Sequence, residues 1–167
     1  MKAPLYRSET RSILIGDIPP VLRIALLQYA EKHKLKLVGA SAWLTSRENP
    51  KSTTMVGKLF GRRSNQADPD ASHEMLLVVH ATHLLVATSG AVRGTSVLSL
   101  PLLAATLTRG SLLPGGETPS DDGLTITGFP GDQGAATYFM GLGAGPDADS
   151  CVSAAMAAVD AAKNPTA

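Results

Sequence analysis

From Glu74 onward the chain alternates short apolar runs with turn residues, and only its last stretch adopts helical spacing. Glu74 to His80 and Leu84 to Thr88 are apolar runs rich in Leu and Val, separated by Ala81, Thr82 and His83, which is the pattern of a β-hairpin. Thr95 to Leu100, Ala105 to Arg109, Gly123 to Phe129 and Ala136 to Leu142 continue the series as predicted strands, each bounded by Gly, Pro, Asp or Ser. Asp147 to Lys163 then carries Ala148, Cys151, Val152, Ala155, Met156 and Val159 on one helical face, with Asp147 as the expected cap. Antiparallel strands followed by one amphipathic helix predict an α+β domain.

The first half is patterned differently. Residues 1–12 are polar and read as a flexible arm ahead of a single domain, 13–167. Asp17 as a cap and Pro19 and Pro20 in the first turn announce a helix over 18–34. Its apolar face of Val21, Leu22, Ala25, Leu26, Tyr29 and Ala30 is widened by Ile24 and Leu27, enough to cap a sheet or to associate with a partner or a second copy. Leu35 to Thr45 reads as the first strand, with Leu37 and Trp43 on one face and Val38, Ala40 and Leu44 on the other. Periodicity stops over 46–72, a loop long enough to suggest a function. Ser111 to Asp122 is a second polar stretch, read as a connector.

Bulk properties narrow the function classes. A length of 167 residues is one domain's worth, and a net charge of +1 does not advertise nucleic acid. One cysteine excludes an internal disulfide and suits a reducing compartment; Cys151 reads as a small core residue. Neither a signal peptide nor a membrane span of about 20 apolar residues is visible, so the expected location is the cytoplasm.

Candidate chemistry concentrates in the long loop. Lys51, Lys58, Arg62 and Arg63 accumulate there before the first acid, Asp68, interleaved with Met55, Val56, Leu59 and Phe60. Bases with apolar tips suit an anionic membrane or a protein partner, although a solvated segment covering the fold explains them as well. A single aromatic, Phe60, and no nucleic-acid motif argue against nucleic acid. His73, His80 and His83 are the only candidates for a metal site, but no further Cys or His cluster completes one, and no metal or cofactor is expected. Gly141 to Gly145 resembles a dinucleotide turn but lacks room for the βαβ unit such a turn requires. Thr88-Ser89-Gly90 is no nucleophile elbow, and Asp68, Asp70, Asp121 and Asp122 read as turn residues.

The hairpin Leu77 to Ala87, the segment Thr95 to Leu102 followed by Ala105 to Arg109, two more strands and the final helix together resemble the pleckstrin-homology-like (PH-like) domains of bacteria. The resemblance implies a bent antiparallel sheet or PH-like barrel plugged by the C-terminal helix, with the helix 18–34 as an addition. It places the basic loop between the first two strands, where many members bind lipid head groups, although the family's Lys and Arg pattern is not reproduced. The expected role is a non-catalytic cytosolic adaptor that binds a protein and, through Lys51, Lys58, Leu59, Phe60, Arg62 and Arg63, an anionic phospholipid at the inner membrane surface. The alternative is a small enzyme or ligand-binding protein with a pocket near His80, His83 and Arg109.

Overall fold

The computed structural model describes residues 6–51, 59, 61, 63–110, 122–132 and 134–166. Strands β1 (Arg7–Ile13), β2 (Ser41–Glu48), β3 (Ser72–Val79), β4 (His83–Gly90) and β5 (Gly94–Pro101) form one antiparallel sheet in sequential order. Strands β6 (Thr106–Arg109), β7 (Gly123–Gly131) and β8 (Gly134–Gly141) form a second. Helix α1 (Pro20–Lys32) precedes β2, and helix α2 (Pro146–Lys163) follows β8. The chain is therefore mixed α+β, with two separate antiparallel sheets.

The central strands of the first sheet, β2 to β4, are buried on both faces, which explains their apolar runs. On one face Ala42, Leu44, Leu76, Val78, Leu85 and Ala87 meet Ile18, Leu22 and Leu26 from α1 and the residue leading into it. The opposite face, Trp43, Met75, Leu77, Leu84, Val86 and Leu100, packs on Leu124, Ile126, Phe129 and Met140 of the second sheet. It also meets Ala148, Cys151, Val152, Ala155 and Val159 of α2. Cys151 is fully buried there, and burial pushes its thiol up to about 12, as befits a packing residue.

The sheets do not close into a barrel, which corrects that form of the expected fold. Pro101 ends β5, and the 3₁₀ turn Leu102–Ala104 carries the chain to the other sheet with Leu102 and Ala105 buried between the layers. At the opposite corner α2, not a strand ladder, covers β1. Asp147 Oδ2 accepts the Ser12 N–H at 3.2 Å, and the Thr10 hydroxyl donates to the Leu142 carbonyl at 2.7 Å. Asp147 thus serves the β1 edge and does not cap the helix, whose N-cap position is Gly145.

Three other expectations change. Residues 7–13 form β1, paired along its length with β2 from Arg7↔Glu48 to Ile13↔Ala42, and are not an arm. Polar alternation in an edge strand looks like a solvated tail until its partner is known. Asp17 does not cap α1; it lies in a 3₁₀ turn, Ile15–Asp17, and Pro19 occupies the N-cap position. The first predicted strand, Leu35 to Thr45, is two things. β2 starts only at Ser41, because the backbone before it is used to end α1. The Leu35 N–H donates to the Ala30 carbonyl at 2.8 Å and the Lys34 N–H to Glu31 at 3.1 Å, a Schellman-type ending with Lys34 at φ 57°. A lysine at this left-handed position costs about 1 kcal/mol where glycine would not.

The joint between β8 and α2 depends on Gly143. Its φ is +72°, and a Cβ there would stand 2.2 Å from the Ser8 carbonyl oxygen of β1. Gly143→Ala is expected to destabilise the fold by more than about 1 kcal/mol, from steric overlap and the left-handed backbone together. Urea denaturation that leaves the midpoint unchanged would refute this account of the joint.

Candidate interaction surface

The long loop is closed at its base. Asn49, just after β2, takes the Asn65 N–H on its side-chain oxygen at 3.0 Å and donates its amide to the Asn65 carbonyl at 2.8 Å. The Ser64 N–H donates to the Pro50 carbonyl at 2.8 Å, and Lys51 pairs with Arg63 in an isolated antiparallel bridge. The Arg63 guanidinium donates to the Asn49 carbonyl at 3.0 Å. This ladder brings Lys51 and Arg63 opposite each other and closes the base of the loop. Lys51 is exposed and Leu59 is 81% exposed, large for a leucine. Lys58, Phe60 and Arg62 lie outside the described residues.

A polar cluster anchors the stretch that follows. Asp70, buried, accepts the Val92 N–H at 2.7 Å and the Arg93 Nε–H at 2.8 Å, while Asp68 accepts Arg93 Nη2 at 2.5 Å. Asp68 also takes the Tyr6 hydroxyl at 2.5 Å, and Asn65 donates to that same phenol oxygen at 2.8 Å. The Arg47 guanidinium lies 4.0 Å over the Tyr6 ring and donates to Ser8 Oγ, in space left by Gly141, where a Cβ would meet it at 2.6 Å. His73 of β3 sits edge-on to Tyr6, its ring centre 5.7 Å away. Its Nδ1 has no hydrogen-bond partner among the described residues, Asp68 Oδ2 being 3.6 Å distant.

The electrostatics follow from this packing. Burial would raise Asp68, but hydrogen bonds from Tyr6, from the Asp70 N–H and from Arg93 hold it at about 2. Burial, followed by the positive charge of Arg93 and Arg47, depresses the His73 imidazole to about 4, so it is neutral near pH 7. The cluster thus clamps the segment after the loop onto the β4–β5 turn and β1. Asp68 and Asp70 do make the expected turn contact, the Asp70 N–H donating to Asp68 Oδ1 at 2.9 Å, but their main partner is Arg93. Nothing in the local sequence marked Tyr6, Arg47, Asn49, Asn65 or Arg93, because each is isolated in sequence and meets the others only through strand pairing.

The remaining predicted residues are not gathered into one site. His80 donates Nε2–H to the Lys36 carbonyl at 3.0 Å and accepts the Thr82 N–H on Nδ1 at 3.1 Å. His83 Nδ1 lies 2.7 Å from the Thr82 hydroxyl. Arg109 forms an exposed ion pair with Asp149 of α2. Among the described residues no three His, Cys, Asp or Glu side chains group to hold a metal ion, and no helix is long and apolar enough to cross a membrane. Comparison with family models, with curated proteins and with solved structures finds no match to this chain.

Proposed function

We propose that the chain is a non-catalytic interaction module of PH-like architecture that binds a protein partner through the basic loop, with anionic membrane as the more specific version of that contact. The observation that carries the reading is the closed neck at Asn49–Asn65 and Lys51–Arg63, with Leu59 standing exposed beyond it. A loop that merely connected β2 to β3 would need no such base, whereas recognition loops gain by having their ends held. The PH-like reading draws support from the order of elements: a sequential antiparallel sheet, a second three-stranded sheet, and a closing helix packed against both. An adaptor role at the cytoplasmic membrane face is part of the same proposal.

The test compares capture from native cell extract by the wild-type chain and by a Lys58→Glu/Leu59→Asp/Arg62→Glu variant with an unchanged melting curve. One partner retained by the wild type and lost by the variant is expected; equal capture by both would remove the loop from the function. Co-sedimentation with anionic vesicles decides the membrane version, which requires wild-type binding that weakens as salt rises, and weaker binding by Phe60→Ala. If Phe60→Ala instead lowers the melting temperature, Phe60 belongs to the fold.

A further inference from the structure

The two outer strands of the large sheet end differently. β1 is covered by α2 through the Asp147–Ser12 and Thr10–Leu142 bonds, whereas β5 pairs with β4 alone. The flanking bonds fix the phase of the ladder. The His80 N–H donates to the His83 carbonyl and the Leu102 N–H to the Thr82 carbonyl, both at 2.9 Å, so β4 turns its odd-numbered backbone groups to β3 and its even-numbered ones to β5. Ser96, Leu98 and Leu100 are therefore the β5 residues that bond β4, and the N–H and C=O groups of Thr95, Val97 and Ser99 point off the sheet. Among the described residues these outward groups have no hydrogen-bond partner.

This edge carries none of the devices that keep strand edges apart. β5 has no Lys, Arg, Asp or Glu, its only proline is its last residue, Pro101, and its register with β4 runs from Gly90↔Gly94 to His83↔Pro101 without a bulge. Its hydroxyls are committed within the fold, Thr95 to Ser89 at 2.9 Å, Ser96 to Thr88 at 3.0 Å and Ser99 to Tyr29 at 2.7 Å. What the strand leaves unmet is its backbone, with Leu98 45% exposed along it. The edges of the second sheet offer less, since β6 is four residues long and β8 shares a cavity of about 450 Å³ with Tyr6 and Arg93.

We infer that β5 pairs with β5 of a second copy, antiparallel about a two-fold axis at Val97, joining two five-stranded sheets into one continuous sheet. In that register Val97 meets Val97 and Thr95 meets Ser99, so every outward N–H finds a C=O and the symmetry repeats each contact. An uncharged strand meets its own copy without repulsion. α1 runs along β5, since Val21 lines the same trough as Thr95 and Tyr29 reaches Ser99. The axis therefore also brings the uncharged flank of Val21, Ala25 and Gln28, on the Tyr29 side of the helix, toward its equivalent. Val21 is 60% exposed in the single chain. A foreign strand is disfavoured, because strand addition takes its specificity from side-chain pockets beside the edge. The clefts lined by Leu27 and Val38 and by Glu9 and Glu74 take in no residue from Ser96 to Pro101.

Sedimentation velocity of the full chain from about 1 to 100 µM, a range that brackets micromolar association, tests the pairing. A monomer–dimer equilibrium is expected. Leu98→Lys, which sets two lysines near each other across the axis, should weaken it by about tenfold or more. Val97→Pro, which removes an outward N–H that β4 does not use, should do the same, while Val97→Ala, which keeps that N–H, should still dimerise. Amide hydrogen exchange by NMR at about 100 µM reads the edge directly. Thr95, Val97 and Ser99 should be protected in the wild type and lose that protection in Leu98→Lys, whereas Ser96 and Leu100 stay protected in both. A chain that is monomeric throughout, association that continues beyond the dimer, or protection gained on another strand instead overturns the inference. So does dimerisation that survives both Leu98→Lys and Val97→Pro, or a loss in Val97→Ala as large as in Val97→Pro, which would place the contact in side chains and not in the backbone.

Discussion

Leu26→Ala is expected to destabilise the protein by about 2–5 kcal/mol, whereas Leu27→Ala, one residue along the same helix, should change stability by less than about 1 kcal/mol. Leu26 is fully buried in the cluster formed with Leu44, Leu76, Val78 and Leu85, so truncation leaves a cavity between helix and sheet that the pleated strands cannot collapse to fill. Leu27 is 48% exposed, so its truncation opens no sealed void. Paired urea denaturation curves check both values, with equal slopes confirming that only stability has changed. Similar losses for the two, or a larger loss at Leu27, would mean that α1 presents a different face to the sheet.

A stepwise loss of stability on acidification is the second large effect. His73 has a folded value of about 4 against an ordinary 6.5, so between those limits the unfolded chain binds a proton that the native chain refuses. Stability therefore falls as pH falls through that window, by at most about 1.4 kcal/mol per pH unit for one proton, and this contribution levels off below about 4. His83, lowered in the same direction chiefly by burial, adds to the same window. Asp68 then takes over. Its folded value of about 2 lies below the ordinary 3.8, so the stability it contributes is present above 3.8 and is lost as pH falls toward 2. Asp70, lowered first by the Val92 N–H and then by Arg93, acts in the same sense. Thermal melts from neutral pH down to about 2.5 should show both stages, and His73→Gln should flatten the upper one while sparing the lower. An unchanged upper slope in that variant would show that His73 is not the group responsible.

The two predictions probe opposite kinds of legibility. The hairpin β3–β4, the strands β5 to β8 and the helix α2 were readable because each announces itself locally, by apolar runs between turn residues or by helical spacing around Cys151 and Val159. The buried face of α1 was readable in composition but not in direction. Val21, Ile24 and Leu27 extend the apolar stripe without a break, and only the sheet decides that Leu22, Leu26 and Ala30 go inward. The candidate site was legible only in its basic composition, which named Lys51, Leu59 and Arg63 but gave no hint of the neck that holds them.

By itself the chain determined the class, α+β with antiparallel strands, since periodicity and turn chemistry act over a few residues and need no distant partner. Tertiary structure decided what required one. β1 exists because β2 offers Arg7 to Ile13 a ladder, and the sheets stay open because Pro101 ends β5 and α2 occupies the corner that a closing strand would need. The Asp68–Asp70–Arg93–Tyr6 clamp and the Asn49–Asn65 neck were likewise tertiary outcomes. Their groups are polar, scattered in sequence and individually ordinary, and acquire shifted pKa values or a shared surface only when folding removes water from some and gathers the charge of others.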